Sequence, residues 1–269
     1  MMNRGFRILV AGILATGLTA CETVPETGRS QLLLINSKQE IKLGLTEFEK
    51  LKKNTPISED KKKTALVNRV GRRIASVAKL PGAQWEFVLF EKPKIANAFS
   101  LPGGKVGIYS GILPITKTET GLATVMTHEI AHAVARHGAE RISEGMLVQL
   151  GGQVLSILTQ EKSAEAQSLI NSSYGIGSQL GVMLPHSRKQ ELEADYIGIL
   201  YMARAGYPPK EAIAFWKRFS QNKGNKKASR LNEFFSTHPV DKIRIQQLQK
   251  LLPRAQQEYQ RALQNMQTR

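Results

Sequence analysis

The sequence predicts an α+β domain that is mostly helical and has a small antiparallel β-sheet next to one distinctive helix. Around His128, apolar residues return at three- and four-residue spacings, which is the pattern of a buried helical face. Three short runs of strand-forming residues, bounded by proline and glycine, lie shortly before this helix at residues 85–90, 95–99 and 105–109. Most other segments between residues 37 and 250 have helical periodicity.

Residues 1–20 have the features of a signal peptide. Arg4 and Arg7 precede an apolar run that is too short to span a bilayer comfortably. The run ends at Cys21, and this end resembles the lipobox of bacterial lipoproteins, in which the cysteine after the cleavage site carries the lipid. Cys21 is the only cysteine, so no intramolecular disulfide can form. The alternative is an ordinary signal peptide with an incidental cysteine.

The expected location follows from this segment. Residues 21–36 would be the lipidated cysteine and a tether that anchors the protein to the membrane. Glu22, by resemblance to lipoprotein sorting, favours the outer membrane, with the domain facing the periplasm.

The chain is strongly basic. Residues 1–20 contain two arginines and no acid, so the formal charge falls from +16 to +14 without them. A surface this basic is either simply soluble or attracted to anionic headgroups. No nucleic acid partner is predicted, because the sequence has no zinc-finger spacing, aromatic RNA-binding motif or glycine-rich phosphate loop.

The predicted domain, residues 37–250, opens with two helices. Ser37 and Glu40 form a capping pair for the first, which runs to about residue 53. The second extends from residue 58 to about residue 79. Residues 251–269 are rich in glutamine and are predicted to be a polar C-terminal tail.

The three strand candidates are predicted to form an antiparallel meander. Proline cannot donate a hydrogen bond to a ladder, so the strand next to Pro102 should lie at an edge of the sheet. An exposed edge can take up an extended peptide as an additional strand. The same spacing fits a plain structural turn equally well.

The most specific motif is His128-Glu129-Ile130-Ala131-His132. Histidines four residues apart lie on the same side of a helix, which suits two ligands of a tetrahedral zinc ion. Glu129 lies beside the first histidine, where a carboxylate can accept a proton from water that the metal activates. The alternative is a helix with two hydrogen-bonded histidines and a surface glutamate.

A second helix supplies a third ligand. Glu191 and Asp195 are four residues apart and share a face, whereas Glu193 lies on a roughly opposite face. Two histidines and one glutamate form the three-ligand set of a catalytic zinc site, with a fourth position open for water. Asp195 can then accept the N–H of a ligand histidine. The glycine-rich residues 140–180 between the two helices fit a mobile lid and a packed hairpin equally well.

These two motifs together resemble those of the CAAX prenyl protease-like zinc metallopeptidases, the HtpX, LoiP and BepA type. Three further segments match the family, namely Asn97 to Gly104, Ser187-Arg188, and Thr237-His238-Pro239 followed by Arg244. The lipobox and the short sequence after Pro239, too short for a tetratricopeptide array, favour its LoiP-like bacterial lipoproteins. The resemblance covers roughly residues 24–250 and implies a zincin fold of the gluzincin type.

The resemblance also implies roles for individual residues. One Zn²⁺ ion would be bound by three side chains, those of His128, His132 and Glu191. Glu129 would act as general base, and Asp195 would orient a ligand histidine.

Other matching residues would act on the substrate. Asn97 and Ala98 would contact its main chain from the edge strand. His238 and Arg244 are candidate donors to the oxyanion of the transition state. His238 has a second possible role, as a regulatory fourth zinc ligand that holds the enzyme inactive. His137 is interpreted as a structural or surface residue, because three ligands suffice for zinc.

We therefore predict a zinc-dependent endopeptidase of the bacterial cell envelope. The resemblance implies misfolded or unassembled envelope proteins as substrates and envelope assembly machinery as a partner. The alternative from another class is a chaperone-like or assembly scaffold that binds such proteins with little cleavage. Glu129 argues against it, because binding alone needs no general base. A small-molecule zinc hydrolase is disfavoured, since an edge strand suits an extended peptide better.

Overall fold

The computed structural model describes residues 21–159, 187–221, 232–238 and 242–268. The predicted signal peptide, Pro239 and residues 160–180 of the predicted lid or hairpin lie outside these ranges, so the choice between those two alternatives stays open. The described part agrees with the predicted α+β class, because helices predominate and the strands form two small sheets.

Strands and helices alternate only in the N-terminal half of the described chain. In chain order, the strands are β1 (Cys21–Thr23), β2 (Ser30–Leu32), β3 (Glu86–Phe90), β4 (Ala98–Leu101) and β5 (Lys105–Tyr109). The helices are α1 (Ser37–Asn54), α2 (Lys61–Ala75), α3 (Leu113–Thr116), α4 (Glu119–Val134), α5 (His137–Thr159), α6 (Arg188–Arg204), α7 (Lys210–Ser220), α8 (Asn232–Thr237) and α9 (Lys242–Gln267).

The main sheet is mixed rather than antiparallel, and its strand order is β3-β5-β4. β4 and β5 form an antiparallel hairpin whose turn contains Gly103 and Gly104 at φ angles of 81° and 83°, a region that favours glycine. β3 pairs in parallel with β5, so the predicted meander is wrong in this pairing. The prediction that the strand next to Pro102 lies at an edge is confirmed, because β4 pairs only with β5 among the described strands.

The parallel pairing results from the connection between β3 and β4. This connection passes beside the end of β5, where the amide of Gly111 donates to the carbonyl of Lys92 at 3.1 Å. Gly111 permits the close passage, since a Cβ there would lie 2.3 Å from the carbonyl oxygen of Ile95. These contacts are distant in sequence, whereas the composition of three short strands does not specify which of them are neighbours.

The first two helices differ from their predicted starts. Asn36, not Ser37, caps α1, and it forms a reciprocal capping box with Gln39. Glu40 instead turns inward and accepts from Nε of Arg136 at 2.7 Å. α2 begins after Asp60, whose side chain accepts from the amide three residues later.

The central element is α4. The side chain of Thr118 caps it by accepting from the amide of Gly121 at 3.0 Å. Every residue from Gly121 to Val134 is buried, as expected for a helix that has neighbours on all sides. These neighbours include α2, α6, α7 and the edge strand β4. The sheet therefore lies next to the His-Glu-x-x-His helix, as predicted.

Both ends of the described chain differ from their predicted form. Residues 21–36, predicted to be a tether, contain the antiparallel β1–β2 hairpin, and Val24 and Leu33 are buried. Residues 251–269, predicted to be a polar tail, largely continue α9, and Ala255 is fully buried there. Isolated apolar residues in polar segments give too weak a periodicity to predict this packing. Across the described ranges, no helix combines the length and apolarity needed to cross a membrane.

Candidate metal centre

The His-Glu-x-x-His motif lies in the second half of α4. One helical turn separates His128 from His132, and their Nε2 atoms are 3.1 Å apart. Both imidazoles are buried, and the indole of Trp216 lies against His128 with 5.3 Å between the ring centroids. The two histidines therefore point into one enclosed space, as their spacing predicts.

Glu191 reaches this space from α6. One of its carboxylate oxygens lies 3.3 Å from Nε2 of His128, and the other lies 3.2 Å from Nε2 of His132. The two helices come close because Gly198 has no side chain: a Cβ there would lie 3.3 Å from the Cα atom of His128. α6 begins with a capping box, which fixes its first turn and hence the position of Glu191.

His238, directly after α8, is the fourth member of the cluster. Its Nδ1 atom lies 3.0 Å from a carboxylate oxygen of Glu191 and 3.3 Å from Nε2 of His128. Phe234, one turn earlier, stacks on its ring with 4.5 Å between the centroids. The imidazole is buried at the position expected for a fourth metal ligand.

The four side chains fit one zinc ion. Their ligand atoms all lie within 4.8 Å of one another. Neighbouring ligand atoms are 3.0 to 3.3 Å apart, close to the edge of about 3.3 Å of a tetrahedron with bonds of about 2.0–2.1 Å. Three imidazole nitrogens and a carboxylate also require a cation between them, since their lone pairs would otherwise repel one another. The donor set is therefore consistent with the predicted Zn²⁺ cofactor.

Asp195 and Arg244 lie behind His128. Oδ1 of Asp195 is 3.0 Å from Nδ1 of His128, so the ring can donate its proton there and direct Nε2 at the metal position. Arg244 donates from Nε and Nη2 to the two oxygens of Asp195, at 2.7 and 2.8 Å. Burial alone would raise the pKa of Asp195, but the charge and hydrogen bonds of Arg244 outweigh it and lower the pKa.

Arg244 does not occupy the position expected of an oxyanion donor. Besides its two bonds to Asp195, it donates from Nη1 to Glu191, and its guanidinium lies 4.5 Å from the ring centroid of Trp216. The side chain is fully buried among these groups. Its geometry instead suits a residue that holds two carboxylates in place.

Glu129 is buried at the same site. Its Oε1 atom lies 3.4 Å from Nε2 of His238. Burial is the largest influence on the pKa of Glu129 and raises it, and the nearby charges of His238 and His128 offset this only in part. A carboxyl group with a raised pKa beside the metal position has the properties of a general base.

The structure adds two residues to which the sequence assigned no part in the site. His137 is fully buried, and its Nδ1 atom lies 2.8 Å from Nδ1 of His132. Its Nε2 atom lies 3.0 Å from a carboxylate oxygen of Glu193. Burial lowers the pKa of His137, so the ring is neutral at neutral pH. His137 therefore contacts a zinc-site histidine rather than solvent.

A break between two helices explains why His137 was missed. In a continuous helix, a residue five positions after His132 would lie about 140° away around the helix axis. α4 instead ends before Arg136, which has a φ angle of 55°, and α5 begins at His137. This local turn brings the His137 ring back onto His132. A third histidine so close to the motif was the available signal.

Three other predicted site residues lie outside the cluster. Asn97 directly precedes β4, and its side-chain oxygen accepts from the amide of Ala98 at 2.9 Å. Ala98 is buried in the edge strand that packs against α4. Cys21 begins β1. Substrate binding by Asn97 and Ala98 and lipidation of Cys21 stay predictions.

Comparison with known proteins identifies the relatives of this chain. A model of peptidase family M48 matches residues 61–252. The mitochondrial metalloendopeptidase OMA1 of Schizosaccharomyces pombe is 39% identical over 193 residues, which cover 72% of this chain and 54% of that protein. For OMA1 of Saccharomyces cerevisiae the identity is 41% over 186 residues, covering 68% and 51%. The β-barrel assembly-enhancing protease of Escherichia coli is 28% identical over 229 residues, covering 84% and 46%. The chain thus spans about half the length of these relatives.

The predicted location at the outer membrane, facing the periplasm, is wrong on these findings. Relatives from fungi, a plant and an animal are mitochondrial proteins by name, which conflicts with a bacterial outer-membrane lipoprotein. The prediction depended on a short apolar segment and one cysteine. Such features indicate targeting but do not identify the membrane.

The comparisons support the remaining predictions at the level of the family. The predicted metalloendopeptidase class agrees with the names of these relatives, and the predicted zinc cofactor agrees with the donor set in the structure. The matched residues 61–252 include Glu129 and all four members of the cluster. Because that match covers well over half of the sequence, the chain belongs to peptidase family M48.

Proposed function

We propose that this protein is a zinc-dependent endopeptidase. One observation carries the proposal: a buried glutamate, Glu129, lies beside four ligand atoms that are all within 4.8 Å of one another. A site that only binds metal for stability needs the ligands but has no use for this additional buried carboxyl group, which is costly to bury.

Each residue then has a role in peptide hydrolysis. A zinc ion held by His128, His132 and Glu191 would lower the pKa of water and polarise the scissile carbonyl. Glu129 accepts the proton of the attacking water and delivers it to the leaving amine. Its raised pKa suits both steps, because the carboxyl group must first bind a proton and then release it. Asp195 holds the ring of His128 in the required orientation.

We infer further that His238 holds the site inactive. A tetrahedral zinc ion with four protein ligands has no position open for water. Nδ1 of His238 lies where it would complete such a set, at 3.0 Å from Glu191 and 3.3 Å from Nε2 of His128. Activation therefore requires His238 to leave, together with the ring of Phe234 that stacks on it.

We propose polypeptides that have failed to fold or assemble as the substrates. β4 lies at the edge of the main sheet and packs against α4, so an extended segment added to this edge would run past the metal site. Asn97 and Ala98, at the start of β4, would contact the main chain of such a segment. The name of the E. coli relative, a β-barrel assembly-enhancing protease, also supports substrates of this kind.

The proposal is tested with the full chain and an unfolded protein such as casein. We expect His238→Ala to cleave faster than the wild type and Glu129→Gln to be at least about 100-fold slower. A chelator should abolish cleavage by all three proteins. If His238→Ala binds zinc but never cleaves, the endopeptidase proposal fails. If it cleaves at the wild-type rate, His238 is not inhibitory.

A second candidate function is a scaffold that binds unfolded proteins with little cleavage. The four-ligand arrangement favours it, because such a site has no place for water while His238 is bound. The same variants separate the two functions. A scaffold should bind casein equally well with Glu129 or Gln at this position, and its His238→Ala variant should stay inactive.

A further inference from the structure

The two histidines of the α4 motif are held from behind by different groups. Nδ1 of His128 faces the carboxylate of Asp195 at 3.0 Å, whereas Nδ1 of His132 faces another imidazole, that of His137, at 2.8 Å. Two ring nitrogens at this distance share one proton, so one donates and the other accepts. The direction of this hydrogen bond decides which nitrogen of His132 is available to a metal.

Glu193 determines that direction. Its Oε2 atom lies 3.0 Å from Nε2 of His137. An ionised carboxylate only accepts, so His137 carries its proton on Nε2 and presents a lone pair at Nδ1. His132 must then donate from Nδ1, which leaves the lone pair of its Nε2 directed at Glu191 and His128. This is the tautomer that binds zinc through Nε2.

Arg29 holds Glu193 in the required position. It lies between β1 and β2, and its Nε atom donates to Oε2 of Glu193 at 2.7 Å, the same oxygen that faces His137. The opposite oxygen of Glu193 accepts from the hydroxyl group of Thr27. Both oxygens of Glu193 are thus bound by side chains of the hairpin, and the carboxylate cannot rotate away from His137 without breaking these bonds.

A second carboxylate fixes Arg29 in turn. Its Nη2 atom donates to Glu140 at 3.0 Å, and Nη1 donates to the other oxygen of Glu140. Glu140 also accepts from the side chain of Gln190 at 2.8 Å. Arg29 therefore joins residues from α5 and α6 at the point where Glu191 enters the site.

The hairpin has other anchors that do not touch this network. Glu26 accepts from Arg204 at 2.7 Å, and Val24 is buried in the core. The contacts of Arg29 are therefore not needed merely to dock the hairpin. They end instead at the side chain that faces a zinc ligand.

We propose that Arg29 is a positioning residue of the zinc site, acting through Glu193 and His137 on the orientation and tautomer of His132. This inference rests on the proposed function, since it takes His132 to be a zinc ligand. It makes the N-terminal hairpin a part of the metal site, although the hairpin lies outside the matched residues 61–252.

The test measures zinc affinity of the full chain by competition with chelators. Removing a partner of a metal ligand typically weakens metal binding by about 10- to 100-fold. We expect His137→Leu to fall in this range and Arg29→Met to lose about 10-fold, at its lower end. His137→Gln should bind zinc nearly normally, since its amide can accept from His132 and donate to Glu193. Arg204→Met is the matched control, because it removes an anchor of the hairpin outside the network.

Cobalt(II) provides a readout that general loosening of the fold would not change. Its visible absorption reports the geometry of the bound ligands. We expect a shifted spectrum for His137→Leu and Arg29→Met and a normal one for His137→Gln and Arg204→Met. If His137→Leu does not fold, the comparison of Arg29→Met with Arg204→Met still decides.

Two results would overturn the inference. One is wild-type zinc affinity and cobalt spectrum in Arg29→Met. The other is an equal loss in Arg29→Met and Arg204→Met, which would mean that docking of the hairpin matters rather than the network. If the wild type itself fails to bind zinc, the proposed function falls first and the inference with it.

Discussion

The two sides of the zinc site are built from different materials. The side behind His128, here called the Asp195 side, consists of Asp195 and Arg244. The side behind His132, here called the hairpin side, consists of His137, Glu193 and Arg29. The Asp195 side is entirely buried and lies within the residues that match the family. The hairpin side ends at Arg29, whose side chain keeps 15% of its exposure, and lies partly outside those residues.

This difference separates stability from adjustment. Opposite charges that are buried together cannot be separated without leaving one of them unpaired in a medium of low dielectric constant. The Asp195 side should therefore contribute strongly to folding. Near the surface, water screens an ion pair and replaces lost contacts, so the hairpin side should affect zinc binding more than it affects folding.

The largest expected effect is that of Arg244→Met. The change leaves the buried carboxylates of Asp195 and Glu191 without their cation, so we expect a loss of about 3–5 kcal/mol in the free energy of unfolding. Urea unfolding of the metal-free protein measures it. Arg254→Met is the matched control, since Arg254 lies on the same helix but is exposed and contacts Tyr196. Equal losses in the two variants would contradict the special role of the Asp195 side.

Removal of zinc should lower the melting temperature. A ligand at 1,000 times its Kd stabilises the folded state by about 4 kcal/mol, which is roughly 8–16 °C for a domain of this size. Thermal unfolding with and without a chelator measures the difference. At a fixed zinc concentration the difference should be smaller in Arg29→Met, because that variant binds zinc more weakly. A wild type that melts equally with and without a chelator would contradict the zinc site.

The two sides should act independently on zinc affinity. We expect Asp195→Asn to weaken binding by about 10- to 100-fold, because a neutral amide holds the ring of His128 and the guanidinium of Arg244 less firmly. Combined with Arg29→Met, the free-energy losses should add within about 0.5 kcal/mol, since the two changes act on different ligands. Chelator competition on both single variants and the double variant measures this. A clear departure from additivity would show one connected network instead of two sides.

The Asp195 side was largely predictable from sequence, and the hairpin side was not. His128 and His132, like Glu191 and Asp195, are four residues apart within one helix, so local geometry fixes their common face. Asp195 itself was predicted as the partner of a ligand histidine. Even Arg244 matched a known motif, although its contacts with two carboxylates were not foreseen.

The hairpin side depends on contacts that no local pattern contains. Arg29 and Glu193 are 164 positions apart in sequence. His137 reaches the site only because Arg136 adopts a positive φ and separates two helices. The parallel pairing of β3 with β5 failed for the same reason, since strand order is decided by the path of a connection. Periodicity predicts which face of an element is buried, but it does not predict what that face meets.

The smallest effect concerns one glycine on each side. At Gly198 on the Asp195 side, a new Cβ would lie 3.3 Å from the backbone of His128, whereas at Gly138, next to His137, it would meet nothing within 4 Å. Alanine gains up to about 1 kcal/mol over glycine in a helix, but crowding a packed interior costs about 1–3 kcal/mol. Gly198→Ala should therefore destabilise by about 1 kcal/mol and Gly138→Ala should stabilise slightly. Urea unfolding that showed the same sign for both would mean that α4 and α6 have room to separate, and that the close approach at Gly198 does not fix the distance between His128 and Glu191.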